Sequence, residues 1–291
     1  MTPLPRASIL ALAFYFGLPL VQISGTLRGQ AVSTDPILAI AHKLFTEATL
    51  LASQGLHDEA ETRLWQTLSI REKALGLDHP DVAITLHNLG FIYNAQGRYE
   101  EAEPLLRRAL IIRETAFGPQ HLEVALTLNS LAFTYGVQSR YDKAEPLYER
   151  ALAIDEIVLG PNHLEVAHIL SNLGMLYDDL GRYAEARTIY ERVLVIRAAA
   201  LGSSHPDVAN ILINLASLYH HQGRYAEAVP LYRRSLDIRR AELGPEHSDT
   251  SLALENLILA CELLFALPDV VQEQRSITAP ESMAMLCRLS P

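Results

Sequence analysis

Two hydrophobic stripes alternate along the chain from about residue 36 to 265, each at helical spacing and each interrupted by glycine. Between Asp81 and Gln96 the apolar residues Val82, Leu86, Leu89 and Tyr93 fall three or four apart, which makes one helical face. Gly97 then offers a left-handed stop. From Tyr99 to Phe117 a second face is made by Ala102, Leu105, Leu106, Ala109, Leu110 and Ile112. Gly118 ends that helix and Pro119 prevents its continuation.

This two-helix unit returns every 42 residues. The turn column reads Gly55, Gly97, Ser139, Gly181, Gly223, and it is followed by Arg98, Arg140, Arg182, Arg224 and by Tyr99, Tyr141, Tyr183, Tyr225. An alanine column stands at Ala60, Ala102, Ala144, Ala186 and Ala228, where a small side chain lets two helices of a hairpin approach. A second glycine column runs Gly76, Gly118, Gly160, Gly202, Gly244. Leu89, Leu131, Leu173, Leu215 and Leu257 mark the first helix, with Tyr93, Tyr135, Tyr177 and Tyr219 one turn later. A single hairpin cannot bury its apolar face alone, so neighbours must stack. The expected fold is all-α: a right-handed superhelical solenoid of antiparallel helix pairs.

The columns predict pairs at about 36–76, 79–118, 121–160, 163–202 and 205–244, then a lone helix at 248–265. The first pair is degenerate, since Leu56-His57 replaces Arg-Tyr after Gly55. The lone helix departs further, with Cys261 in the tyrosine column and Phe265 in the glycine column. The segment 251–267 is apolar nearly all round, so something is expected to cover it: the aperiodic tail at 266–291, a second copy or a partner.

Asn88-Leu89-Gly90 with Tyr93, Asn172-Leu173-Gly174 with Tyr177, and Asn214-Leu215-Ala216 with Tyr219, each followed by Gly-Arg-Tyr-x-x-Ala, resemble the tetratricopeptide repeat. The longer unit, with Leu-Gly-Pro-x-His at 159–163 and 243–247, is similar to the kinesin light chain variety. The resemblance covers roughly 36–265 and implies a binding scaffold whose first helices line a concave groove. Carried over by position, that groove would hold Asn88, Ser130, Asn172, Asn214 and Asn256 in one column and His87, Asn129, Ser171, Ile213 and Glu255 in the preceding one. Phe91, Phe133, Met175 and Ser217 follow three residues after the asparagine column. An asparagine both donates and accepts, so a row of them can pair an extended peptide backbone, with Phe91, Phe133 and Met175 as apolar pockets. The same asparagines could equally bond neighbouring helices and set the pitch. The basic clamp found in chaperone-binding members of the family is missing, because these columns carry no Lys or Arg.

Composition narrows the class further. Lys plus Arg is 24 against 34 Asp plus Glu, a formal net charge of −10, which gives no footprint for nucleic acid. No nucleophile motif, phosphate loop or paired catalytic carboxylate stands out, so the reading is non-enzymatic, with no cofactor or metal. The histidines His79, His121, His163, His205 and His247 lie one repeat apart and cannot converge on an ion, so linker packing is expected of them. Asp178, Asp179, His220 and His221 form a better cluster near the ends of adjacent first helices, where they could approach one another on one rim; a solvated polar rim is expected there, with a metal or pH-sensitive site as the alternative.

The amino end differs from the rest. Arg6, an apolar run at 9–23 and the small residues Gly29-Gln30-Ala31 have the form of a secretory signal peptide covering 1–31. An uncleaved membrane anchor through 9–23 is the other reading, although Gly17 and Pro19 interrupt the run. In an oxidising compartment Cys261 and Cys287 could pair and pin the tail. The sequence therefore points to an exported scaffold for a protein or peptide partner. The alternative is a structural protein that self-associates through 251–267.

Overall fold

In a computed structural model of the chain, the described residues are 35–266 and Cys287. The leader at 1–31, and the tail apart from Ala266 and Cys287, lie outside them. Among the described residues there are eleven helices and no strand. They are α1 (Pro36–Ser53), α2 (His57–Leu75), α3 (Pro80–Ala95), α4 (Tyr99–Phe117), α5 (Leu122–Val137), α6 (Tyr141–Leu159), α7 (Leu164–Asp179), α8 (Tyr183–Leu201), α9 (Pro206–His221), α10 (Tyr225–Leu243) and α11 (Ser248–Phe265). The chain divides into two compact units, Met1–Pro161 and Asn162–Pro291. The first holds the hairpins α1/α2, α3/α4 and α5/α6. The second holds α7/α8, α9/α10 and α11.

The histidine column caps helices. Nδ1 of His79, His121, His163, His205 and His247 accepts the backbone N–H two residues on, at 3.1–3.2 Å, and so satisfies one orphan donor at the start of α3, α5, α7, α9 and α11. Pro80 and Pro206 fill first-turn positions where no N–H is needed.

The turn column ends the first helix of each pair. At Gly97 the backbone is left-handed (φ 75°), and the Arg98 N–H returns to the Tyr93 carbonyl at 2.8 Å. Ser139 adopts the same conformation (φ 58°) and is the one non-glycine to do so among the described residues.

The Arg-Tyr phrase locks the joint. Arg98 lies 4.0 Å over the Tyr93 ring, and Glu61 of the preceding hairpin accepts from both, at 2.6 Å from Arg98 and 2.8 Å from Tyr93. Arg140, Tyr135 and Glu103 repeat this arrangement one period on. In the second unit Arg182 and Arg224 stack on Tyr177 and Tyr219 and pair with Glu185 and Glu227.

Close approach depends on small residues. Ala60, Ala102, Ala144, Ala186 and Ala228 are all fully buried. A Cβ added at Gly90 would sit 2.6 Å from Leu106, and one at Gly174 would sit 2.6 Å from Tyr190.

A second periodic feature joins successive pairs. Arg71, Arg113, Arg197 and Arg239, near the ends of α2, α4, α8 and α10, are buried. Each donates to a backbone carbonyl in the first turn of the next helix: Asp81, Glu123, Asp207 and Asp249, at 2.6–3.2 Å. Arg71 and Arg113 also donate to Thr85 and Thr127, at 2.9 and 2.6 Å. Buried Asp155 occupies this column at the third pair.

The carboxyl end is tied back. Cys287 is disulfide-bonded to Cys261 on α11, closing a sequence separation of 26.

Candidate peptide-binding surface

The two units treat the proposed groove columns differently. In the first, Asn88 is buried and its Nδ2 donates to the Ile84 carbonyl of its own helix at 2.8 Å. Ser130 is buried on α5 and donates to the Leu126 carbonyl at 3.2 Å. Phe133 is buried, and Phe91 is half-buried against the core of the first two hairpins. The polar link between α3 and α5 is made elsewhere. Asn94 donates to the Thr134 hydroxyl at 2.9 Å, and Thr134 donates to the Ser130 carbonyl at 2.9 Å. Asn88 and Ser130 therefore turn these bonds onto their own helices and not onto neighbouring ones.

His87 sits beside Asn88 and is almost wholly buried, with Nδ1 unpaired. Burial, reinforced by the Arg113 guanidinium, pushes its pKa well below the ordinary 6.5.

In the second unit Asn172 and Met175 are half-buried on α7, and Asn214 lies on the adjacent first helix α9. Asn214 is only 3% exposed, and neither its Nδ2 nor its Oδ1 has a hydrogen-bond partner. A buried amide left unpaired on both sides is costly, about 1–3 kcal/mol for each group. On its own helix Ser217 is engaged with the Tyr232 hydroxyl at 3.1 Å, and on α7 Ser171 donates to the Ala167 carbonyl at 2.7 Å. Asn214 thus has free donor and acceptor capacity. Its surroundings include buried Ile213 and Ser217 on the same helix.

Of the rim cluster, the structure brings together Asp178 and His221. His221 Nδ1 lies 3.2 and 3.1 Å from the two carboxylate oxygens of Asp178, bridging the ends of α7 and α9. His220 turns instead toward Tyr225 and Tyr232, with ring centroids 5.1 and 6.5 Å away. Burial and the neighbouring His221 push its pKa down. Among the described residues no group of three or more His, Cys, Asp or Glu side chains is placed to hold a metal ion. Also among them, no helix is long and apolar enough to cross a membrane.

The sequence carries one more periodic signal, the arginine column. Its residues repeat at the same interval, and their partners, the carbonyls ten positions on, become evident only when successive hairpins pack.

The model of the tetratricopeptide repeat matches at 39–115, 82–156, 123–199, 179–241 and 207–265. The chain belongs to the tetratricopeptide repeat family. Among solved structures, BtubC (BKLC) of P. vanneervenii is similar at 27% identity and a TM-score of 0.62, over 73% of this chain and 85% of that one. A protein of Podosopora anserina, described as a kinesin light chain with nearly identical TPR-like repeats, is 26% identical with a TM-score of 0.59, over 71% of this chain and 98% of that one. These place the tetratricopeptide repeats of this chain with the kinesin light chain type. The apo form of RapI shares the fold at a TM-score of 0.63 and 18% identity, covering 80% of this chain and 79% of that one. A comparison with curated protein sequences gives no match. A tetratricopeptide array is a protein-interaction scaffold.

Proposed function

We propose that this tetratricopeptide protein is a non-enzymatic scaffold that binds an extended peptide segment across the first helices of its second unit. The carrying observation is the Asn214 carboxamide, buried with donor and acceptor both unpaired. A peptide backbone offers the matching acceptor and donor, and a ligand that does so relieves the cost of the buried amide. Met175 and Asn172, half-buried on α7, would contact the residues to one side.

The test uses a peptide selected from a displayed random library against the full chain. Asn214→Leu removes two unpaired groups and keeps similar volume. It should stabilise the fold by about 1 kcal/mol or more while weakening the selected peptide. Asn172→Ala with Asn214→Ala should weaken it roughly 5–150-fold, from two bonds of about 0.5–1.5 kcal/mol each. A destabilised Asn214→Leu protein would mean that the amide serves the fold. Unchanged affinity in the double variant would move the site elsewhere.

We also propose that the protein is exported, with residues 1–31 as a cleaved leader. The form of that segment supports this, and so does the Cys261–Cys287 disulfide, since such bonds persist in oxidising compartments. Mass spectrometry on protein from its native host tests it: a full-length mass in the membrane fraction would favour an anchor through 9–23.

A further inference from the structure

α4 carries side chains that the repeat does not require. Pro104, Arg107, Arg108 and Ile111 share one face of that helix and line a cavity of about 440 Å³ beside the turn that joins α2 to α3. Ile112 of the core and Asp78 of the turn line it too. The volume suits a bulky side chain or a small ligand.

Part of this lining is scaffold. Pro104 recurs as Pro146 and Pro230. Arg108 pairs with Glu72 at 2.6 Å and donates to the Leu77 carbonyl at 3.0 Å. Arg150 repeats both bonds one period on, with Glu114 at 2.6 Å and the Pro119 carbonyl at 3.0 Å. Glu103, at the cavity's other end on α4, is already held by Arg140 and Tyr135.

Asp78, Arg107 and Ile111 are different. One period on, their places are taken by Gln120, Glu149 and Ala153, and the third hairpin forms without them. Ile111 is 62% exposed. The Arg107 side chain is 63% exposed, and its ion pair to Glu103 is 3.6 Å long, against 2.6 Å for those of Arg108 and Arg150. Asp78 is exposed and makes no ion pair or side-chain hydrogen bond among the described residues. An apolar floor thus lies between a cation and an anion that the fold leaves with binding capacity.

We propose that this cavity is a second peptide-binding site, which takes an apolar side chain flanked by an acidic residue on one side and a basic residue on the other. The apolar side chain covers Ile111 and Ile112, the acidic residue pairs with Arg107, and the basic residue pairs with Asp78. Two charges of opposite sign fix the direction in which the segment lies. On a chain of net charge −10, a segment carrying both signs also meets less repulsion than an acidic one. The site is built on a second helix of the first unit and does not involve Asn214.

The experiment measures fluorescence polarisation of labelled Lys-Phe-Glu peptides, with no, one or two glycines between neighbours and in both orders, against the full chain. Some members should bind. Replacing their Phe by Gly should weaken them roughly ten-fold or more, and reversing either charge should weaken them several-fold. Ile111→Ser should weaken every binding member. Arg107→Glu should reverse the preference, so that Lys-Phe-Lys peptides bind better than Lys-Phe-Glu ones. Both positions are exposed, so both variants should keep the parent's helical circular dichroism. Asn214→Leu should leave this binding unchanged. The proposal fails if no member binds the parent, or if peptides without the charges bind as well. It fails equally if Ile111→Ser and Arg107→Glu bind the set as the parent does. Loss of binding in Asn214→Leu would also overturn it, and would place these peptides at Asn214 instead.

Discussion

Replacing Arg113 by alanine should loosen the joint between the second and third hairpins more than any exposed charge change. The guanidinium is 1% exposed. It donates to the Glu123 carbonyl at 3.1 Å and the Thr127 hydroxyl at 2.6 Å, and pairs with the Glu123 carboxylate at 2.7 Å. Two hydrogen bonds from a charged group are worth about 1.5–3 kcal/mol each, or roughly 3–6 kcal/mol together. Relief of the buried charge offsets part of this, because burial already holds the Arg113 pKa below its ordinary value, against the pull of Glu123. The Glu123 side chain is 22% exposed and can be partly rehydrated, so the lower end applies. The expected loss is about 3 kcal/mol, a fall of roughly 6–12 °C in melting temperature. Arg113→Met with Glu123→Gln keeps the volume and strands no charge, so it should lose about 1 kcal/mol or less. Urea unfolding followed by circular dichroism reads both differences. An Arg113→Ala protein within about 0.5 kcal/mol of the parent would refute the idea that buried arginines couple successive pairs.

Acid should destabilise the array before its carboxylates titrate. His87 and His168 have pKa values lowered chiefly by burial, with Arg113 and Arg197 adding to it, so the folded chain binds fewer protons than the unfolded one below pH 6.5. Stability should therefore be fully present above pH 6.5 and fall as the pH drops, by up to about 1.4 kcal/mol per unit for each histidine. Urea midpoints at pH 7.5 and 5.5 measure this, and a midpoint that does not fall would contradict the burial of these rings. Gly174→Val should destabilise by about 1–3 kcal/mol, because its Cβ alone meets the Tyr190 ring at 2.6 Å. A calorimetric melting temperature equal to the parent's would show that α8 can retreat freely. Ala186→Trp, at a fully buried position, should cost about 1–3 kcal/mol or more by the same route, and an unchanged melt would misplace the alanine column.

Sequence alone determined the architecture, because period and backbone chemistry are written in residue type. Glycine, serine or proline at a fixed offset decides where a helix stops whatever surrounds it, and the alanine column can serve only a close crossing. The histidine column was legible as linker structure rather than a metal site, because ligands one repeat apart cannot converge. Its action as a set of helix caps appeared only with the ring orientations. The candidate site was legible as a column and no further. Asn88 and Asn214 share a repeat position, yet one amide folds back onto Ile84 and the other is left unpaired. Side-chain torsions answer to neighbours distant in sequence, and repeat position does not encode them. The same holds for Arg113, whose carbonyl and hydroxyl partners exist only once α4 lies against α5. It holds again for Cys261 and Cys287: two thiols 26 residues apart could pair, but only the packing of Cys287 against the α11 cluster brings them together.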